Sequence, residues 1–337
     1  KQNVENLKTF ILCLLLFHFS DSQKAKVRLL QNHEPLLSLQ KLSVNLRMTA
    51  TTLFNRHEAI AQMNTWGQEG RPFLFIISYD LQSSYLKPLT EIPVSELKYN
   101  FNGVCNESEK QTQKPASLVW EPQPQSFECY KQSFDIVHRN LYAGNSFLTN
   151  LTCSTPVHTN LSLLQVFEYS KAPYRLWWKD KFTVFSPEIF VRIVENKISS
   201  YPMKGTIDAT QENARETLLN DVKESAEHAT ITDLIRNDLS QVASNVHVKR
   251  YRYLDEIVTH NGRLLQMSSE IEGILPHDWR ASLGKIFFSL LPAGSITGAP
   301  KPKTQAIIAE SETYSRGFYT GVMGIFDGKN VDSAVMI

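Results

Sequence analysis

Seven residues in a row at 73–79, FLFIISY, are apolar or nearly so. That run is too short for a buried helix and predicts a strand covered on both faces. Comparable runs predict strands at 147–153 (FLTNLTC), 182–185 (FTVF), 189–194 (IFVRIV), 246–254 (VHVKRYRYL), 321–326 (GVMGIF) and 331–337 (VDSAVMI). Elsewhere the period is helical. Phe127, Tyr130, Phe134, Val137 and Leu141 recur three or four apart and predict a helix that Gly144 stops. Residues 211–240 predict one long helix or two consecutive ones. Asp278 stands where an N-cap is expected, ahead of Leu283, Ile286, Phe287 and Leu290 on one face, and Pro292 ends that helix. The polar stretch 102–117 reads as a loop between a short N-terminal part, 48–118, and a main domain, 119–337. Strands in blocks mixed with helices predict an α+β fold rather than a doubly wound parallel sheet.

Composition narrows this only a little. The 337 residues suit one large or two medium domains. Apolar residues at 42% and charged residues at 20% exclude a disordered tail, a fibrous repeat and a multi-span membrane protein. The net charge of +1 gives no whole-protein attraction to nucleic acid or to an anionic membrane. Cys13, Cys105, Cys129 and Cys153 form no CxxC and no zinc pattern, so they read as reduced thiols of a cytoplasmic protein. The apolar stretch 9–19 is too short to span a bilayer; with Lys1 and Lys8 before it, it imitates a secretion signal. The chain does not begin with Met, and ordinary domain composition starts at Met48. Residues 1–47 therefore read as a non-native or signal-like extension. Asn106, Asn150 and Asn160 each sit in a glycosylation sequon, a pattern frequent by chance.

Four stretches could carry chemistry. Ser186-Pro187-Glu188 lies between two strand-like runs, where a carboxyl facing a pocket serves as acid or base and one facing water does nothing. In Pro202-Met203-Lys204-Gly205-Thr206 the glycine allows close backbone approach beside an amine, which desolvation would turn into a nucleophile. Without desolvation Lys204 is a solvated turn lysine. Glu224 and Glu227 are three apart on a helix, which suits either Mg²⁺ or a charged solvent face. Gly294, Ser295, Thr297 and Gly298 in the loop 292–301 can offer backbone N–H groups to an anion, although GxxxxGK[ST] is not satisfied.

Taken in order, SPE, PMKGT, AE, DLIRND and GSITGAPK resemble the chorismate-utilising enzymes, which include anthranilate synthase component I, aminodeoxychorismate synthase component I and the isochorismate and salicylate synthases. The likeness covers about residues 120–337. It implies an anthranilate synthase component I-like α+β fold, with two packed β-sheets and helices outside, and a cleft that binds chorismate with Mg²⁺. It implies Glu227 as a Mg²⁺ ligand and Glu188 as the acid at the departing C4 hydroxyl. Gly294, Ser295, Thr297 and Gly298 would cradle a substrate carboxylate, with Gly205, Thr206 and Gln266 lining the substrate site.

Lys204 discriminates within the family. Anthranilate and isochorismate synthases are similar to PIAGT at that place, and aminodeoxychorismate synthases to PIKGT. The resemblance thus implies that a Lys204 adduct at C2 leads to 4-amino-4-deoxychorismate, on the way to 4-aminobenzoate and folate. Anthranilate synthase component I is the alternative. Gln266 occupies a place where many members have His; it cannot act as a base and keeps a hydrogen-bonding role. The resembled proteins continue beyond the strand that ends here at Ile337 into Arg-Thr, a GGGI turn and an ExxE-type helix. The expectation is therefore a C-terminally truncated chain, which on its own could be an inactive chorismate-binding fragment. No glutaminase nucleophile segment is visible, so ammonia would come from a separate glutamine amidotransferase subunit.

Overall fold

A computed structural model describes residues 53–108, 117–259 and 262–337; the 1–47 extension lies outside them. The chain opens on helix α1 (Arg56–Glu69) and strands β1 (Phe73–Ile77), β2 (Ser84–Pro88), β3 (Leu97–Phe101), β4 (Val104–Cys105) and β5 (Trp120–Pro122). Helix α2 (Phe127–Tyr142), β6 (Leu148–Thr149), β7 (Val157–Thr159) and α3 (Leu163–Tyr169) follow. Next come β8 (Tyr174–Trp178), β9 (Phe182–Ser186), β10 (Ile189–Val194), β11 (Lys197–Ser200) and β12 (Met203–Asp208). Helices α4 (Ala214–Asn220) and α5 (Val222–Ser240) lead into a long hairpin, β13 (Ser244–Thr259) and β14 (Gly262–Ile274). The last elements are α6 (Leu283–Leu290), the single turn α7 (Gly294–Thr297), β15 (Gly298–Ala299), α8 (Lys301–Ser311), β16 (Val322–Phe326) and β17 (Val331–Val335).

Two sheets carry the architecture. The large one runs β12-β14-β11-β10-β17-β16-β1-β2, with β13 on the other edge of β14. The small one runs β4-β3-β8-β9. Alternation along β1 shows how they are layered. Leu74 and Ile76 pack with Leu97, Phe101, Tyr174 and Trp178 of the small sheet. Phe73, Phe75 and Ile77 point the other way, into a core with Met63 of α1 and Phe287 of α6. A strand with helices on one side and a sheet on the other must be apolar at every position, which is why 73–77 reads as an unbroken run. β1 and β2, from the expected N-terminal part, thus share one sheet with strands from the end of the chain.

Most predicted elements form, and the differences have physical reasons. The 211–240 stretch divides at Asp221, whose carboxylate accepts the Glu224 N–H at 2.8 Å and caps α5. Of FLTNLTC only Leu148 and Thr149 pair as strand, against Ala299 and Gly298. Beyond them the Thr152 N–H bonds the Glu312 carboxylate at 2.9 Å instead of a ladder partner. Asp278 makes no side-chain cap; it precedes a 3₁₀ turn, Trp279–Ser282, and the α-helix starts only at Leu283. In α2 the aromatic stripe that marks the helix is not its buried face. Phe127 is 56% exposed and Phe134 40%, whereas Ser133 and Val137 are buried. α2 packs on α8.

Cys105, Cys129 and Cys153 are free thiols. The three sequon amides are all engaged: Asn106 donates to Leu97 O, Asn150 to Ile296 O and Asn160 to Ser117 O. Among the described residues no helix is long and apolar enough to cross a membrane.

Candidate functional site

The chain passes from the small sheet to the large one through Ser186-Pro187-Glu188, between β9 and β10. The Ser186 hydroxyl accepts the Glu188 N–H at 3.1 Å, and Glu188 O accepts from Val335 N at 3.1 Å, which fixes the turn. Burial pushes the Glu188 carboxyl above its ordinary value; a hydrogen bond from Ser295 and the charge of Lys204 pull the other way without cancelling it. Glu188 and Ser295, far apart in sequence, therefore meet, with Lys204 near enough for its charge to act on the carboxyl.

Lys204 is aimed by a break in strand register. β12 pairs with β14 as Met203↔Ser268 and then Thr206↔Gln266. Lys204 and Gly205 together stand opposite Met267, a β-bulge, and Gly205 has φ +80. Bulges of this kind, two residues against one with glycine in the left-handed region, re-aim a side chain beside a site. Gly205 is also crowded: an added Cβ would lie 3.1 Å from Leu218 Cδ1, 3.2 Å from Glu224 Oε2 and 3.3 Å from Met267 Cε. The Gln266 amide spans the bulge. Its Nε2 donates to Gly205 O at 3.1 Å, and its Oε1 accepts from the Thr206 hydroxyl at 3.0 Å.

Helix α5 lies over β12 and presents Glu224 and Glu227 one turn apart. The Lys223 ammonium sits between them, 3.1 Å from Glu224 Oε1 and 3.2 Å from Glu227 Oε1. An ion held by both carboxylates would take the place of this ammonium. Among the described residues no group of three or more His, Cys, Asp or Glu forms a metal site. The donor set is thus two carboxylate groups, which suits Mg²⁺, an ion that keeps several of its waters.

The 292–301 segment contains a helical turn, α7, rather than an open loop. Two of its glycines face protein. A Cβ on Gly294 would meet Leu234 at 2.9 Å and the Asp238 carboxylate at 3.1 Å, and one on Gly298 would strike Leu148 O. Thr297 is fully buried against Tyr79. Ser295 reaches Glu188.

Three groups of supporting residues were not assigned from sequence. Asp238 and Lys301 form a buried ion pair at 2.7 Å, and Lys301 Nζ also donates to Leu290 O at 2.7 Å, closing the base of the segment. Both residues lie inside the quoted motifs DLIRND and GAPK, but pairing across them needed the fold. Arg316 and Glu312, each 2% exposed, pair at 2.6 Å. Arg316 also donates to Ile296 O at 3.0 Å and Asn150 O at 2.7 Å, anchoring α7 from behind. His228, next to Glu227, places Nε2 2.7 Å from Ser269 Oγ and so pins α5 to β14. Burial, helped by the Arg252 charge, pushes the His228 pKa down to about 4, which leaves the ring neutral at pH 7.

The profile of the chorismate binding enzymes matches residues 74–337. A Haemophilus influenzae protein named as an uncharacterized PabA-like protein is 46% identical over 278 residues, 82% of this chain and 84% of that one. Anthranilate synthase component 1 1 of Haloarcula marismortui is 38% identical over 153 residues, which are 43% of this chain and 30% of that protein. MenF, the menaquinone-specific isochorismate synthase from Escherichia coli, superposes with a TM-score of 0.59 at 14% identity, covering 85% of this chain and 74% of the other. That last likeness concerns the fold.

Proposed function

The chain belongs to the chorismate binding enzyme family, and we propose that within it the chain acts as an aminodeoxychorismate synthase component I. The carrying observation is that Lys204, on its bulge, lies near Glu188, a carboxyl whose pKa burial raises. An amine and an acid so placed suit substitution on a ring that must lose a hydroxyl. In this reading the Lys204 amine forms a bond to C2 of chorismate while both conjugated ring double bonds shift towards C4. Glu188 gives its proton to the C4 hydroxyl, which leaves as water. Ammonia then bonds to C4, both double bonds shift back, and the C2–nitrogen bond to Lys204 breaks. The sum is chorismate plus ammonia giving 4-amino-4-deoxychorismate plus water.

Ser295 orients the acid through its hydrogen bond. Glu224 and Glu227 would hold Mg²⁺, which when bound neutralises a substrate carboxylate. Nothing among the residues assigned here would release ammonia from glutamine, so a glutamine amidotransferase subunit completes the reading; the PabA-like name of the Haemophilus influenzae relative is compatible with it.

The experiment supplies the protein with chorismate, Mg²⁺ and ammonium and separates products by mass spectrometry. The expected product is 4-amino-4-deoxychorismate, with glutamine inert as a nitrogen source in the absence of a partner. Lys204→Ala should lower turnover about a hundredfold or more with little change in KM, since a nucleophile contributes to the chemical step rather than to binding. Anthranilate or isochorismate as the main product, or an undiminished Lys204→Ala variant, would overturn the proposal.

A further inference from the structure

The geometry points to Gln266 as a positioning residue for Lys204, with Thr206 as its accessory. A bulge sets two residues against one, so the ladder does not fix the peptide groups between them. Between Met203 and Thr206 the paired register lapses, and Lys204 and Gly205 fill the gap. Gly205, at φ +80, adds freedom of its own. β12 lies at the end of the sheet path, with β14 as its neighbour, so among the described residues no second strand braces it.

The Gln266 side chain supplies what the ladder lacks. Its N–H donates to the carbonyl of Gly205, the residue after Lys204, and its carbonyl accepts from Thr206, the residue after that. Both ends of one planar amide are thereby tied to consecutive residues of the bulge. An amide does this because it carries a donor and an acceptor on one rigid plane. A carboxylate in its place would set an acceptor against the Gly205 carbonyl, and leucine would offer neither group. Gln266 was expected to line the substrate site. Here its amide is committed to β12 instead, and it acts on the substrate only through where it holds Lys204.

This inference rests on the proposed reading for its consequence in turnover, but not for its consequence at Lys204 itself. The test therefore has two readouts on the full chain. The first is carbamylation by cyanate without chorismate, followed by peptide mass spectrometry, with the rate at Lys204 taken relative to exposed Lys285. Gln266→Leu should release the bulge and raise the relative rate at Lys204 about threefold or more. Thr206→Val, nearly isosteric, should move it the same way by less, and Thr206→Ser should restore it. The second readout is steady-state kinetics. Gln266→Leu should lower kcat about tenfold or more and leave KM within about twofold, because misplacement of a reacting group costs turnover rather than binding.

An unchanged carbamylation ratio in Gln266→Leu overturns the inference, whatever happens to activity. So does a rise in KM at constant kcat, which would make Gln266 a substrate contact. If the wild-type chain makes no 4-amino-4-deoxychorismate while the ratio still shifts as expected, the functional reading fails and the positioning role stands.

Discussion

Replacing Gly205 by alanine tests the bulge most directly. The residue sits at φ +80, where a Cβ costs about 1–2 kcal/mol. The added methyl would also lie 3.1–3.3 Å from Leu218 Cδ1, Glu224 Oε2 and Met267 Cε. The two apolar tips can yield by a few tenths of an ångström, whereas the Glu224 carboxylate is tied to Lys223. The sum is about 2 kcal/mol or slightly more, and in a chain of this size it lowers Tm by roughly 3 °C. Gly103 is the matched control. It has φ +91 and nothing within 4 Å of an added Cβ, so Gly103→Ala carries the backbone cost alone. Thermal unfolding followed by circular dichroism should therefore find both variants destabilised, Gly205→Ala the more. Activity should separate them: Gly103→Ala keeps wild-type turnover below its melting range, and Gly205→Ala loses about tenfold or more because Lys204 is displaced. A Gly205→Ala variant with turnover equal to that of Gly103→Ala would refute the idea that the bulge aims Lys204.

Other substitutions probe the surrounding charges. Glu188 has a raised folded pKa, so the stability it contributes is fully present below its ordinary value of 4.5 and is lost as pH rises; urea unfolding should find Glu188→Gln inactive yet as stable as wild type or more so at pH 7, with the difference shrinking towards pH 4.5. Glu312→Gln leaves Arg316 buried with its partner uncharged and should cost about 3 kcal/mol by urea unfolding, a penalty typical of breaking a buried pair. Asp238→Asn should be similarly costly because Lys301 is buried with it, and the double variant Asp238→Asn/Lys301→Met should recover part of the loss, since the uncompensated charge is then gone.

Much of this fold is legible locally. The unbroken run at 73–77 announces burial on both faces, and the strand and helix periods at 182–194 and 214–240 give the right elements. Period fixes the type of an element but not which neighbour covers it. The stripe Phe127, Tyr130, Phe134, Val137 and Leu141 marked a helix correctly; yet of its members Val137 is buried while Phe127 and Phe134 stand exposed. The site was legible as words. SPE, PMKGT and GSITGAPK do contribute Glu188, Lys204 and Ser295 to one place. What sequence spacing could not supply is register. That Lys204 and Gly205 oppose a single residue depends on β14, about sixty residues away, and so does the grip of Gln266 on Gly205 and Thr206. Arg316 and Glu312 are four apart, a spacing that in a helix would have suggested a pair, but α8 ends at Ser311 and the pair forms in a turn.

The state of Glu188 shows how topology rather than motif decides chemistry. A glutamate between two strands is by default the tip of a hairpin, where water keeps it ionised. β9 and β10, however, do not pair with each other. β9 pairs with β8 in the small sheet, and β10 with β11 and β17 in the large one. The turn between them is a crossing from one layer to the next, closed by the Val335 N–H on one side and by Ser295 on another. Desolvation there exceeds the attraction of Lys204, so the carboxyl holds its proton to higher pH than a free glutamate does. Had the positive charge won, the shift would run downward and Glu188 would give up its proton more readily than a free glutamate. The raised pKa that suits Glu188 to donate a proton thus follows from placing SPE at the junction of two sheets.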